Sequence, residues 1–154
     1  MPAWSSFEAG ERVIILNSGE ATISIIDPRT HREMGRIPAG KEPHHLVATP
    51  DNRELIVANA ASNSLLYLDP RTGDVLRRLE RISDPYYLGF SPDRKWAVSA
   101  SNRLDRIDVY EAQTMKLVKR LEMPRVPSHV AFDAGSTTAF VSLQESNEIA
   151  LAPQ

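Results

Sequence analysis

A chain of 154 residues, 42% apolar and 25% charged, has the make-up of a globular protein with one ordinary core. Its formal net charge of −2, with no run of Lys or Arg to offset it, argues against a nucleic-acid partner. The lack of cysteine excludes disulfides, thiolate zinc sites, covalent c-type haem attachment and cysteine nucleophiles, and no apolar run approaches the roughly 18 residues that span a bilayer.

The start, MPAWSSFEAGER, has no basic region followed by an apolar stretch, so no signal peptide is visible. This fits an intracellular protein, or a sequence that begins after its export signal. From there a period of 42 residues organises the chain. Pro43, Pro85 and Pro127 follow it. Asp27-Pro28-Arg29-Thr30 returns as Asp69-Pro70-Arg71-Thr72 and as Glu111-Ala112-Gln113-Thr114, and Thr49-Pro50-Asp51 returns as Ser91-Pro92-Asp93, without a gap. The units run approximately 1–42, 43–84, 85–126 and 127–154, and the last is incomplete.

Superposing the units gives columns of apolar residues. Ile14, Ile56, Val98 and Phe140 share one column; Ile23, Leu65, Ile107 and Ile149 share another. Ile25, Tyr67, Val109 and Leu151 form a third, two residues on, the spacing of a strand with one buried face. The second unit predicts strands at 45–49, 54–59, 64–68 and 75–81. The third predicts 86–91, 95–101, 106–110 and 117–121. The first strand of the first unit falls on Trp4-Ser5-Ser6-Phe7, without the apolar pattern, and the fourth unit stops near its third strand.

Pro50-Asp51-Asn52 and Pro92-Asp93-Arg94 suit the first turn, because proline presets φ and the acid closes the turn with its side chain. Asp27, Asp69 and Glu111 are turn formers of the same kind. Arg36, Arg78 and Arg120 align in a basic fourth strand suited to an outer edge in water. Four short antiparallel strands in each 42 residues are the signature of a β-propeller blade, so the fold class is all-β with about four blades.

Ile14-Ile15-Leu16-Asn17 and Ile56-Val57-Ala58-Asn59 resemble the apolar-Val-Thr-Asn motif of the YVTN-type bacterial propeller repeat. Pro43-His44 with Thr49-Pro50-Asp51 resembles that family's first strand. The third and fourth units keep the strand but lose the asparagine, at Ser101 and Leu143. The family is related to the propeller of the cytochrome d1 haem group. The resemblance implies a ring of seven or eight blades, of which this chain is about half, and a periplasmic or extracellular bacterial protein. Half a ring leaves the apolar faces of its first and last blades wet. Three readings stand: truncation of a longer gene, a homodimer completing the ring, and closure of four units alone.

In such a fold the first strand lines the central channel, which turns one column into a ring of side chains at a mouth. His45, Tyr87 and His129 occupy one column; His44, Tyr86 and Ser128 precede them. His44, His45, Tyr87 and His129 are therefore the candidate cofactor-binding residues, because neutral imidazole ligates Zn, Cu and Fe. The bland alternative is that a ring histidine simply hydrogen-bonds a backbone carbonyl on the next blade. No zinc spacing, phosphate loop or nucleophile elbow is present, so no catalytic residue and no metal site is assigned. The charged stretch Arg103, Asp105, Arg106, Asp108 is expected to be a solvated or salt-bridged loop. The expected function is a noncatalytic binding module, without cofactor, for a protein or small-molecule ligand. The alternatives are a propeller carrying haem or a metal ion, and a gene fragment.

Overall fold

The computed structural model describes residues 11–153, so the prediction at residues 4–7 lies outside the described residues. Among the described residues, fourteen strands form four antiparallel sheets. The first sheet is β1 (Val13–Asn17), β2 (Thr22–Ile26) and β3 (Glu33–Pro38). The second is β4 (Pro43–Ala48), β5 (Leu55–Asn59), β6 (Ser64–Leu68) and β7 (Val75–Glu80). The third is β8 (Tyr87–Phe90), β9 (Trp96–Ser101), β10 (Arg106–Glu111) and β11 (Leu117–Glu122). The fourth is β12 (Pro127–Phe132), β13 (Thr138–Leu143) and β14 (Glu148–Pro153). Each sheet is a simple meander, as the 42-residue period requires, and the predicted strands are met within two residues at each end.

The backbone repeats as well as the sequence. Positive φ recurs at Asn52, Arg94 and Ser136, at Asn63, Asp105 and Asn147, and at His31, Gly73 and Met115. Each set is one column, so every hairpin is closed by a left-handed residue at the same place. At Gly73, with φ of 78°, a Cβ would also lie 2.4 Å from Ile25 Cδ1, so this position tolerates no side chain without moving the core.

The turn chemistry is conserved in the same way within the chain. Thr49 Oγ1 donates to Asp51 Oδ1 at 2.7 Å and accepts from the Glu54 N–H at 3.1 Å. Ser91 Oγ donates to Asp93 Oδ1 at 2.6 Å and accepts from the Trp96 N–H at 3.0 Å. Asp27 and Asp69 accept the N–H of the residue two positions on, at 2.8 and 2.7 Å, and are turn formers as expected. These bonds hold the Asp27, Asp51 and Asp93 carboxyls below the usual carboxylate range.

The chain divides into two compact units, Met1–Glu80 and Arg81–Gln154, each with two sheets. In the first, Ile23, Ile25 and Ile37 pack with Val57, Leu66 and Leu68. In the second, Val98, Ala100, Ile107 and Val109 pack with Val130, Ala139, Val141 and Ala152. Trp96 is half-buried against that second core, a packing role as its position in the repeat suggests. The fourth strands β7 and β11 are exposed along most of their length, as the basic column predicts.

The motif asparagine explains itself. Asn59 is fully buried; its Oδ1 accepts the Gly40 N–H at 3.0 Å and its Nδ2 donates to Ser64 Oγ at 3.3 Å. It ties the segment joining β3 to β4 onto the end of β5. A Cβ on Gly40 would lie 2.7 Å from Asn59 Cβ and 2.2 Å from Ser62 Oγ, so the approach requires glycine. Ser101, which replaces the asparagine in the third sheet, keeps the tie by donating to the Ser83 carbonyl at 2.8 Å.

One expectation needs correction. Of the two readings of the charged stretch, the salt-bridged one holds for Asp108 and the solvated one does not. Asp108 lies within β10 and is fully buried. Arg120 Nε and Nη2 donate to its two oxygens at 2.8 and 3.2 Å, and Arg106 Nη2 donates at 3.2 Å. Tyr110 adds its hydroxyl at 3.3 Å. Burial, and then the Asp108 charge, push the Tyr110 phenol up, so it remains a donor. Arg103 is engaged too, donating through its N–H and Nη1 to Asp84 at 2.8 and 3.1 Å.

Candidate functional site

The candidate residues sit at the starts of first strands, where the sequence places them, and the local backbone there is irregular. A register shift lies between Pro43 and His45 on β4, and another between Pro127 and Val130 on β12. Such bulges re-aim side chains out of the simple two-residue alternation. His44 and His45 are neighbours on β4 in the first unit and both are half-buried.

In the second unit the column does bring residues together. The His129 ring is exposed, with its centroid 5.5 Å from that of Tyr87, tilted by 57°. The Tyr86 ring stands edge-on to it at 6.3 Å and 87°. The Tyr87 hydroxyl donates to the Val130 carbonyl at 2.9 Å, linking the third sheet to the fourth. Burial raises the Tyr87 phenol above its ordinary value. The ring folds over Gly89, where a Cβ would lie 2.6 Å from the Tyr87 hydroxyl. Tyr87 is thus a structural strap between the two sheets, a bond the bland alternative had given to a histidine. Tyr87→Phe should cost about 0.5–1.5 kcal/mol, the net worth of one hydrogen bond, measured by denaturant unfolding.

The donor set bears on the haem and metal alternatives. Among the described residues, no group of three or more His, Cys, Asp or Glu is placed to hold a metal ion. The Tyr87 hydroxyl is committed to the Val130 carbonyl, so any ligation through it would have to break that bond. The second unit offers one imidazole with an aromatic surround, suited to hydrogen bonding and ring contacts.

Four antiparallel meanders in one 42-residue register are the blades of a β-propeller. The chain belongs to the YNCE-like β-propeller family, whose model matches residues 2–153. Among solved structures, it is similar to Kuenenia stuttgartiensis hydrazine synthase, at 20% identity and a TM-score of 0.75, over 99% of this chain and 48% of that one. It is similar to the dihydro-heme d1 dehydrogenase NirN in complex with DHE, at 18% identity and a TM-score of 0.70, over 100% of this chain and 35% of that one. A third is the Cps50 (Swd1) β-propeller domain of Myceliophteria thermophila, at 17% identity and a TM-score of 0.70, over 92% of this chain and 49% of that one. The chain therefore spans half or less of the length of these relatives, and at such identities the likeness shows the fold. No curated protein matches. No helix among the described residues is long and apolar enough to cross a membrane.

Proposed function

We propose that this chain is a noncatalytic β-propeller binding module that takes a small molecule or a protein segment at the first-strand ends of its blades. The supporting observation is the exposed His129 imidazole held against two tyrosine rings. An imidazole offers a donor and an acceptor, and tyrosines beside it offer flat apolar surface, a common composition for ligand contacts. Asp108, a buried acid of the second unit, is held by two guanidinium groups and a phenol, which supports a structural use. The family likeness supports a periplasmic or cell-surface location in a bacterium.

The test is a fragment screen by amide chemical-shift mapping. Binders should perturb Tyr86 and His129 together, and His129→Ala should weaken them at least tenfold. Binders that map elsewhere, or that ignore the substitution, would remove the assignment. The competing reading, a cofactor-carrying propeller, draws on the likeness to the d1-haem dehydrogenase. A Soret band or stoichiometric metal in protein isolated from its host would establish it in place of the first.

A further inference from the structure

We infer that Ser142 is the positioning residue of the His129 site: its hydroxyl fixes the bulge that aims the imidazole at Tyr86 and Tyr87. Pro127 lies opposite Leu143, and Val130 lies opposite Val141. Between these pairs, Ser128 and His129 of β12 face the single residue Ser142 of β13. A bulge of two residues against one interrupts the ladder, so its backbone groups need partners from elsewhere.

Ser142 supplies them from its side chain. The His129 N–H donates to Ser142 Oγ at 3.2 Å, and Ser142 Oγ donates to the His129 carbonyl at 3.4 Å. Ser128 is buried, and its Oγ lies 3.0 Å from Ser142 Oγ. With Ser128 as the donor in that contact, the one donor and two acceptor sites of the Ser142 hydroxyl are all used. One side chain of the neighbouring strand thus holds both backbone groups of His129. The imidazole is left only its own side-chain torsions.

The chain before the bulge is clamped as well. Arg125 and Val126 have φ of 81° and 61°, a conformation that is costly for a β-branched residue. Asp105 holds them there. Its Oδ1 accepts the Val126 N–H at 2.9 Å, and its carbonyl accepts the Met123 N–H at 2.7 Å. From the other side the Gln144 N–H donates to the Val126 carbonyl at 3.1 Å. The ladder resumes at Val130, so both ends of the bulge are fixed and Ser142 fixes its middle.

The repeat isolates the hydroxyl as the distinguishing feature. Leu16, Ala58, Ala100 and Ser142 share one column, so a hydroxyl stands there in the fourth sheet alone. On β4 the same register shift precedes His45, whose partner is Ala58, and alanine has no side-chain group to bond a bulge. An aimed imidazole is therefore a property of the fourth sheet and not of the whole histidine column. Its use as a ligand contact rests on the site proposed at His129; the aim of the ring does not.

The experiment is nuclear Overhauser spectroscopy on the 154-residue chain without any ligand. The His129 ring protons should show contacts to the ring protons of Tyr86 and Tyr87, whose centroids lie 6.3 and 5.5 Å away. Ser142→Ala, which adds no bulk, should lose these contacts, and the His129 ring shifts should move toward those of a free imidazole. Ser142→Thr should keep both signals, whereas Ser142→Val, of the same shape without the hydroxyl, should lose them. Ser101→Ala removes a hydroxyl bond from the third sheet and controls for lost stability; it should keep them. Contacts that persist in Ser142→Ala and Ser142→Val, or that vanish equally in Ser142→Thr and Ser101→Ala, would overturn the inference. If the variants behave as expected while no fragment maps to His129, the ligand site fails and the positioning role of Ser142 stands.

Discussion

Replacing Asp108 with alanine should destabilise the protein by about 3–5 kcal/mol, the usual cost of removing one partner of a buried ion pair. The cost is large because the carboxylate has no exposure at all and four donors converge on it, from Arg120, Arg106 and Tyr110. Its loss strands the half-buried Arg106 guanidinium, whose Nε already has no partner, and frees the Tyr110 hydroxyl in a buried place. For a domain with about 5–15 kcal/mol in total, this is a major fraction. Denaturant unfolding measures it. The double variant Asp108→Ala with Arg120→Ala should lose less than the two single losses added, because the groups share one network. Strict additivity would show that the contact seen at 2.8 Å carries no coupling.

Asn59→Ala should cost about 1–3 kcal/mol, the penalty for leaving a buried donor unsatisfied. The Gly40 N–H loses its acceptor, and Ser64 Oγ loses a donor. Ser101→Ala, the same position in the third sheet, should cost less, about 0.5–1.5 kcal/mol. It removes a single hydroxyl donor to an accessible type of acceptor, the Ser83 carbonyl. Equal losses at the two positions would mean that the asparagine has no special clamping role.

The fold was legible because its information is periodic. Every strand of the second and third sheets could be placed from columns such as Ile23, Leu65, Ile107 and Ile149, since a buried face demands an apolar residue at the same step in each unit. The turn acids were legible for a similar reason: Asp51 and Asp93 follow a proline and precede a left-handed residue. The strand holding Asp108 is predicted at 106–110, but its burial is not, because a charge between other charges looks the same on a wet face and on a buried one. The available signal was its column, which holds Ser24, Leu66 and Ala150, none of them charged, with Arg120 opposite in the next strand. The candidate site was legible only as a column. That Tyr87 belongs to it followed from the period; that its hydroxyl is committed to Val130 depends on bulged geometry that no alternation pattern encodes.

The account rests on equal segments of 42 residues folding as equivalent antiparallel meanders, four-stranded in the second and third segments. Amide hydrogen exchange, resolved by residue, tests this most directly. The central strands β5, β6, β9 and β10 should protect most strongly, with maxima that repeat 42 residues apart, while the exposed edges β7 and β11 exchange faster. Protection that follows a helical period, or maxima in the second and third segments that do not superpose on that shift, would contradict it.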